Sequence, residues 1–307
     1  MKSSQAYLLV LLISFLSISC NRNAASQSSR SKLNETDVFK NYWYSGKAEL
    51  NSFILEQSRY GELRDGKAVL IFVTEDFSQK KQVKLDDPEK AGNDKTSVLK
   101  MNFTKNFVTG IYPYSMMLSV FTPVSRDQFP NSLKATMTSQ EWCGHVFNQL
   151  NLRDKEYYVS AYSYFEQEGD EKTTVNNAIL EDELWNIIRL DPENLPVGDF
   201  LMIPGLFFTR LRHSDIKETL VNAVKSESES EMLYTVAVKD QERILAIRFE
   251  KSFPHKILGW EESFTERGNA TRTKAVLDKT LILDYWTKNK NEFRYLRDSL
   301  HLSPNNY

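Results

Sequence analysis

The chain has 307 residues, with 39 basic and 41 acidic side chains and a net charge of −2 at pH 7. This balance excludes the strongly basic footprint that nucleic-acid binding requires. Hydrophobic residues make up 41% of the chain and aromatic residues 12%, which is enough for a packed core. With two cysteines and four histidines, a cysteine-rich zinc site is excluded, and we expect neither a metal nor a cofactor.

The N-terminus predicts an exported lipoprotein. Lys2 precedes an apolar run, residues 6–18, which has the length of a secretory signal and is too short to span a bilayer. The run ends Leu-Ser-Ile-Ser-Cys, which resembles the lipobox of bacterial lipoproteins, where the thiol of Cys20 receives a diacylglycerol. Ser17 stands where leucine is commoner. The alternative is an ordinary signal peptide followed by a chance cysteine.

The residues after Cys20 predict where the chain is held. Residues 1–19 are the predicted signal peptide, and residues 20–35 are a predicted flexible tether, because they are rich in Ser, Asn and Arg and poor in apolar side chains. The residue after Cys20 is Asn21 and not Asp, which by resemblance to the sorting rules of bacterial lipoproteins implies the outer membrane. Lipoproteins that are exported to the cell surface usually carry an acidic cluster just after the lipidated cysteine. Residues 21–31 contain no acidic side chain, so we expect the chain to stay on the periplasmic face of the membrane. The rest, residues 36–307, is predicted to be a single β-rich domain.

The first half of this domain alternates apolar runs with turn residues, which predicts paired strands. An Asp-Gly pair suits a tight hairpin turn that requires positive φ. The predicted strand segments are residues 47–77 turning at Asp65-Gly66, residues 97–124 turning at Gly110, and residues 133–165 turning at residues 153–156.

A helical insertion is predicted around residues 179–225. Residues 179–190 combine an acidic first turn, which the helix dipole favours, with an apolar face. Residues 214–225 follow a potential N-cap at Ser214 and predict a second helix. Four further strands and a short helix at residues 291–301 complete the chain.

This order predicts an α+β fold dominated by β-structure: a curved antiparallel sheet or half-open barrel with a few helices on one side. In its strand pattern the chain resembles the half-open barrels of periplasmic lipoprotein carriers, the LolA/LolB-like fold. In such a barrel Val69, Ile71, Met117 and Leu118 are candidate ligand-lining residues. A closed core is the alternative for the same four residues.

The sequence Trp-Cys-Gly-His at residues 142–145 begins like a thioredoxin-type redox centre. A dithiol centre needs Cys-x-x-Cys, and the position of the second cysteine is occupied by Val146 in this chain. We therefore expect a strand on which Trp142 packs and Cys143 is a small buried side chain. Monothiol chemistry by Cys143 with His145, which could face the same side of a strand, is the weaker alternative.

Other motifs favour structure over chemistry. Residues 61–68 match the spacing of a phosphate-binding loop, but Ala68 replaces the Ser or Thr that would hold magnesium, and a strand follows where a helix is needed. Neighbouring carboxylates on a strand point to opposite faces, so we predict solvated side chains at Glu75/Asp76, Asp86/Asp87 and Glu261/Glu262. The spacing of three histidines does not predict a metal site: His213, His255 and His301.

Three segments resemble an uncharacterised family of Bacteroidota lipoproteins: residues 47–86, 140–151 and 285–302. Members are sometimes labelled "septum formation inhibitor Maf". The chain lacks the Ser-x-Ser-Pro-Arg-Arg loop of Maf pyrophosphatases, so the resemblance implies lineage and envelope location and transfers no catalytic residues. Asp298-Ser299-Leu300 resembles the short O-glycosylation site of envelope proteins of that phylum, with Ser299 as the acceptor.

Together these features predict a lipid-anchored, periplasm-facing envelope protein that is not an enzyme. Its expected partners are the membrane, through the anchor, and either an amphiphile or another envelope protein. Two alternatives stay open: an enzyme, through Cys143/His145 or an unrecognised hydrolase site, and a purely structural or assembly lipoprotein.

Overall fold

Strands dominate the computed structural model, which describes residues 37–266 and 268–302. Within these residues fifteen strands form one curved, open sheet in the order β8-β7-β6-β5-β4-β3-β2-β1-β15-β14-β13-β12-β11-β10-β9. Every pairing is antiparallel except that of β9 with β10. The strands are β1 Ala48–Arg59, β2 Glu62–Ser78, β3 Lys95–Thr109, β4 Tyr112–Pro123, β5 Lys134–Glu141, β6 Gly144–Arg153, β7 Glu156–Tyr162, β8 Asp170–Asn176, β9 Ile179–Leu180, β10 Gly198–Ile203, β11 Thr219–Glu227, β12 Glu231–Val238, β13 Arg243–Glu250, β14 Ile257–Glu266 and β15 Asn269–Leu283. The predicted β-dominated antiparallel fold is confirmed.

The first hairpin is present, but its predicted turn is wrong. The chain reverses at Tyr60-Gly61, both with positive φ, and not at Asp65-Gly66. Gly66 lies inside β2, where a Cβ atom would stand 2.5 Å from the carbonyl oxygen of Asn106 on β3. Glycine is therefore required there because two strands approach closely, and not because of a turn.

Four α-helices accompany the sheet over the described residues: α1 Asp37–Trp43, α2 Leu184–Leu190, α3 Leu206–Arg212 and α4 Tyr295–Ser299. Of the first predicted helix, residues 179–190, the second half is confirmed as α2; a 3-10 turn at Glu181–Glu183 precedes it, and Ile179–Leu180 form β9. None of these helices has the length and apolar character needed to cross a membrane.

The helix predicted at residues 214–225 is wrong. Most of that segment is β11, and α3 ends before it begins. Val221 and Ala223 are buried while Leu220 and Val224 are exposed. This alternation has the two-residue period of a strand, so the segment places its apolar side chains toward the core as a strand and not as a helix.

Side chains from α2 and α3 fill the concave side of the sheet. The Trp185 ring lies 5.5 Å from that of Phe103 and 5.3 Å from that of Trp260. Phe207 lies 5.2 Å from Phe103. The sheet thus wraps around packed aromatic side chains, which form one hydrophobic core with the inward-facing strand residues.

The convex face of β1 and β2 is divided into two parts. Near the start of β1, the C-terminal segment covers apolar side chains; Leu50 and Val73 form a small second core with Leu300. Toward the Tyr60-Gly61 turn no segment lies over the sheet among the described residues, and Ile54 is exposed.

Candidate functional site

The uncovered part of the convex face contains an open apolar groove of about 680 Å³, which we call the turn-end groove. Alternate residues of adjacent strands bring Ile54, Lys67 and Asn106 side by side, since Lys67 pairs with both of the others. Beyond them Val108 and Pro113 pair across β3 and β4. The groove is lined by Ile54, Leu55, Asp65, Gly66, Lys67, Asn106, Phe107, Val108, Ile111, Pro113 and Trp142.

A small charged cluster lies at one edge of this groove. The Lys67 ammonium is 3.2 Å from a carboxylate oxygen of Asp278, and Nδ1 of His301 is 3.0 Å from the other. Burial raises the pKa of Asp278, but the hydrogen bond and charge of Lys67, together with His301, outweigh it and lower that pKa. The groove therefore combines an apolar floor with a polar edge.

A second arrangement is buried inside the sheet around Arg243. Its guanidinium donates to both oxygens of Glu181, at 2.5 and 2.6 Å, and to Glu262 at 2.8 Å. Gly205 lies against this pair, and a Cβ there would stand 2.5 Å from Oε1 of Glu181. Glu181, which precedes α2, is thus held by a buried arginine and by closely packed backbone.

Two more titratable groups border the Arg243 pair at a cavity of about 30 Å³. Burial raises the pKa of Asp182 to about 7, although its carboxylate accepts the Leu206 N–H at 3.0 Å. Burial lowers the pKa of Lys105, against the opposing charge of Glu262. Within the described residues the Lys105 ammonium makes no hydrogen bond; it lies 5.3 Å from the Phe207 ring centroid.

A third arrangement is the seam between the two ends of the sheet. Strands β8 and β9 are joined by two residues but do not pair with each other. A polar groove of about 350 Å³ lies beside β7 and β8, against residues 213–218. There Nδ1 of His213 is 2.6 Å from Glu168, which Arg210 approaches at 3.5 Å.

The residues predicted around Cys143 are not where the sequence suggested. Trp142 and Cys143 form the turn between β5 and β6 and both are exposed, so the predicted buried strand is wrong. A hydrogen bond with the Glu141 carboxylate, and its charge, raise the pKa of the Cys143 thiol, whereas an activated thiol needs a lowered pKa. His145 is exposed on β6, and no hydrogen bond joins it to Cys143 in the described chain.

The four candidate ligand-lining residues do not share one surface. Leu118 faces the packed interior, whereas Met117 beside it is exposed on the convex face. Val69 and Ile71 also lie on the convex face, where Ile71 packs against the covered part. Leu118 is separated from the other three because successive residues of a strand point to opposite faces of the sheet.

The remaining predicted sites fall in three places. Ser299 is exposed on α4 and donates a hydrogen bond to the carbonyl of Tyr295. Cys20 lies outside the described residues. Glu262, predicted to be solvated, is buried against Arg243, because its strand turns that face toward the interior.

The acidic residues 181–183 do not have the helix-dipole role that the sequence predicts, because all three are buried. Glu181 pairs with Arg243, and burial raises the pKa of Glu183 although Ser132 and Leu180 donate to its carboxylate. The sequence does contain a signal that this region is buried. The helix that follows, Leu-Trp-Asn-Ile-Ile-Arg-Leu, is apolar around most of its circumference, as is typical of a buried helix.

No protein-family model matches the chain, and no curated protein is similar to it in sequence. Among solved structures it is similar to a β-barrel-like protein of a domain of unknown function, DUF1849, from Brucella abortus. The two are 8% identical, with a TM-score of 0.43 over 78% of this chain and 98% of that one. The fold therefore rests on the strand order described above.

Proposed function

We propose that this chain is a lipid-anchored envelope protein that binds an amphiphile in the turn-end groove. The observation that carries the proposal is the bare apolar surface around Ile54, Val108 and Trp142, beside the part of the β1–β2 face that the C-terminal segment covers. Apolar surface left in water is costly, and clustered patches of this kind mark binding sites.

The chemistry of the groove favours an amphiphile over a wholly polar ligand. Its volume lies within the range of small-molecule sites, roughly 300–1,000 Å³. An alkyl chain would lie along Ile54 and Val108, and a polar headgroup would lie near Lys67 and its partner Asp278. Carriage inside the sheet is disfavoured because α2 and α3 occupy the interior with Trp185 and Phe207.

The anchor is tested by mass spectrometry of the mature wild-type chain. We expect an N-terminal peptide that begins at Cys20 and carries the mass of a diacylglycerol. A Cys20→Ser chain should lack that mass. An unmodified N-terminal peptide in the wild-type chain would contradict the anchoring.

Ligand binding is tested on the mature Cys20→Ser chain with a dansyl-labelled fatty acid, and by native mass spectrometry after expression in a periplasm. Ile54→Glu places a charge in the groove and should weaken binding about tenfold, because burying an aliphatic side chain is worth roughly 1.5–3 kcal/mol. Val224→Glu is the matched control: Val224 on β11 is 53% exposed, and Ile54 is 54% exposed.

Equal weakening by both variants, or a wild-type chain that binds no probe and carries no adduct, would contradict amphiphile binding. In the second case a photo-crosslinker at residue 54 that captures one defined envelope protein would favour the partner-protein alternative.

A further inference from the structure

Four turns at one end of the sheet each expose a large apolar or aromatic side chain. They are the connections from β1 to β2, β3 to β4, β5 to β6 and β7 to β8, which an antiparallel order places at the same end. The four side chains are between 53% and 79% exposed: Tyr60, Ile111, Trp142 and Tyr164. We call this set, with Tyr112 between its members, the aromatic rim.

Contacts hold four of the five rim side chains in place. The Tyr60 hydroxyl is 2.9 Å from that of buried Tyr114 and 3.5 Å from that of Tyr112. The Tyr112 ring lies 6.5 Å from the Trp142 ring. On the far side Tyr164 packs directly over Gly144, where a Cβ would stand 2.5 Å from the Tyr164 ring. Tyr60, Tyr112 and Trp142 are thus neighbours, and Tyr164 is held against the strand that follows Trp142.

We propose that the aromatic rim contacts the interface of a lipid bilayer. Tyrosine and tryptophan combine an apolar ring with a polar atom, and both are enriched where proteins meet the headgroup region. The rim consists of projecting turn tips, which suit a deformable planar surface better than the complementary pocket of a protein partner. Beside it Arg64 pairs with Glu62, and the only charged residues of the turn that carries Tyr164 are acidic, Glu166 and Glu168, so the contact does not require anionic lipid.

The chain that precedes the sheet is long enough to allow this orientation; this step rests on the proposed anchor at Cys20. Helix α1 lies at the opposite end, where the Trp43 ring is 6.4 Å from the Phe72 ring. Seventeen residues, 20–36, reach at most about 58 Å at ~3.4 Å per residue. The twelve residues of β1 span only about 40 Å. An anchored chain can therefore bring the rim to the membrane that holds the anchor.

Two exposed tryptophans allow a direct test, because they report opposite ends of the sheet. Trp142, 68% exposed, belongs to the rim, and Trp286, 46% exposed, follows the end of β15 near α1. The other three tryptophans are buried: Trp43, Trp185 and Trp260. The mature Cys20→Ser chain is mixed with phosphatidylcholine vesicles whose acyl chains carry bromine, a contact quencher of tryptophan fluorescence.

We expect quenching in the wild-type chain and in Trp286→Phe, and its loss in Trp142→Phe. Substituting Ile111 and Tyr164 together by Asp should lower vesicle partitioning at least tenfold, since it removes the burial of two large side chains. The paired control, Val224→Asp with Leu233→Asp, alters two exposed residues of β11 and β12 and should leave partitioning unchanged.

Quenching of Trp286 instead of Trp142, or none with intact vesicles, would overturn the inference. A rim residue that crosslinks to an envelope protein while vesicles quench neither tryptophan would overturn it in favour of a protein partner. If the chain binds the fatty acid but vesicles quench neither tryptophan, only the membrane contact of the rim is contradicted. If vesicles quench Trp142 but no fatty acid binds, only the proposed ligand of the turn-end groove is contradicted.

Discussion

Two buried arginines, Arg189 and Arg243, form ion pairs that attach the segment around α2 to the sheet, and the surroundings of the two arginines differ. Arg189, at the end of α2, donates to both oxygens of Glu49 at 2.5 and 2.6 Å and to the Pro254 carbonyl at 2.9 Å. Tyr42 and Asn51 donate to the same carboxylate. In the described structure all three guanidinium nitrogens of Arg189 and both carboxylate oxygens of Glu49 have hydrogen-bond partners. A buried ion pair is tolerated under this condition.

Arg243, by contrast, is surrounded by more titratable groups than it can engage. It holds Glu181 and Glu262, while Asp182 and Lys105 border the same small cavity. Burial acts against the charged form of both. The Arg189–Glu49 pair is closed, in the sense that each of its charged groups is paired and hydrogen-bonded. Around Arg243, by contrast, Asp182 and Lys105 are left without an ion-pair partner among the described residues, so burial shifts their pKa values.

The largest effect should come from breaking the closed pair. Glu49→Gln leaves the Arg189 charge buried without a counter-ion, and should lower the free energy of unfolding by about 3–5 kcal/mol. Glu56→Gln, on the exposed face of the same strand, is the control and should change it by less than about 0.5 kcal/mol. Urea unfolding measures both. A loss below about 1 kcal/mol in Glu49→Gln would contradict a structural role for the pair.

The pH dependence of the same pair has a defined sign. Burial raises the pKa of Glu49, but the charge and hydrogen bonds of Arg189 outweigh it and lower that pKa to about 2. A depressed pKa contributes stability above the unfolded value near 4.5, and that contribution is lost as the pH falls toward 2. Glu49→Gln should lack this acid-dependent component.

A smaller effect, of opposite sign, is expected at Asp182. Because its pKa is raised from 3.8 to about 7, the folded state retains a proton that the unfolded state loses. Stability from this group is therefore complete below pH 3.8 and falls as the pH rises to 7, by up to about 4 kcal/mol at ~1.4 kcal/mol per unit. Asp182→Asn should be more stable than wild type at pH 8 and about equal at pH 4. Parallel stability–pH curves for the two chains would contradict the assignment.

These two clusters mark the limit of what the sequence could predict. The β-dominated fold and the order of the first hairpins follow from local alternation and from turns such as Gly110, so they were predictable. The number of strands was not, since β11 lies in a segment that predicts a helix. The exact turn of the first hairpin was not, because Asp65-Gly66 satisfies turn chemistry as well as Tyr60-Gly61 does. Only the pairing of Arg59 with Glu62 decides between them.

The candidate sites depend on contacts between residues far apart in the chain. Arg243 meets Glu181 across 62 positions, and Arg189 meets Glu49 across 140. No periodicity within a segment encodes such pairings. The turn-end groove was missed for a related reason. The sequence predicts which strand residues are apolar, but the position of the C-terminal segment decides which of them stay uncovered.

The smallest effect should come from Lys105. Its amine makes no hydrogen bond in the described chain, so Lys105→Met removes a charge that burial disfavours and keeps the length of the side chain. Since the pKa of Lys105 is lowered in the folded state, the wild-type residue costs stability below its unfolded pKa of about 10.5. We expect Lys105→Met to stabilise the fold by between about zero and 1 kcal/mol at pH 7, since replacing a buried charge by an apolar residue is often neutral or favourable.

A double-mutant cycle with Asp182→Asn then measures whether the two groups share the cavity. Positive charge at Lys105 lowers the pKa of Asp182, so the two substitutions should be non-additive by about 0.5 kcal/mol or more. If Lys105→Met destabilised the fold by more than about 2 kcal/mol, the amine would have a strong partner in solution. Every charged group around Arg243 would then be paired, as in the Arg189–Glu49 pair, and the contrast between the two arginines would disappear.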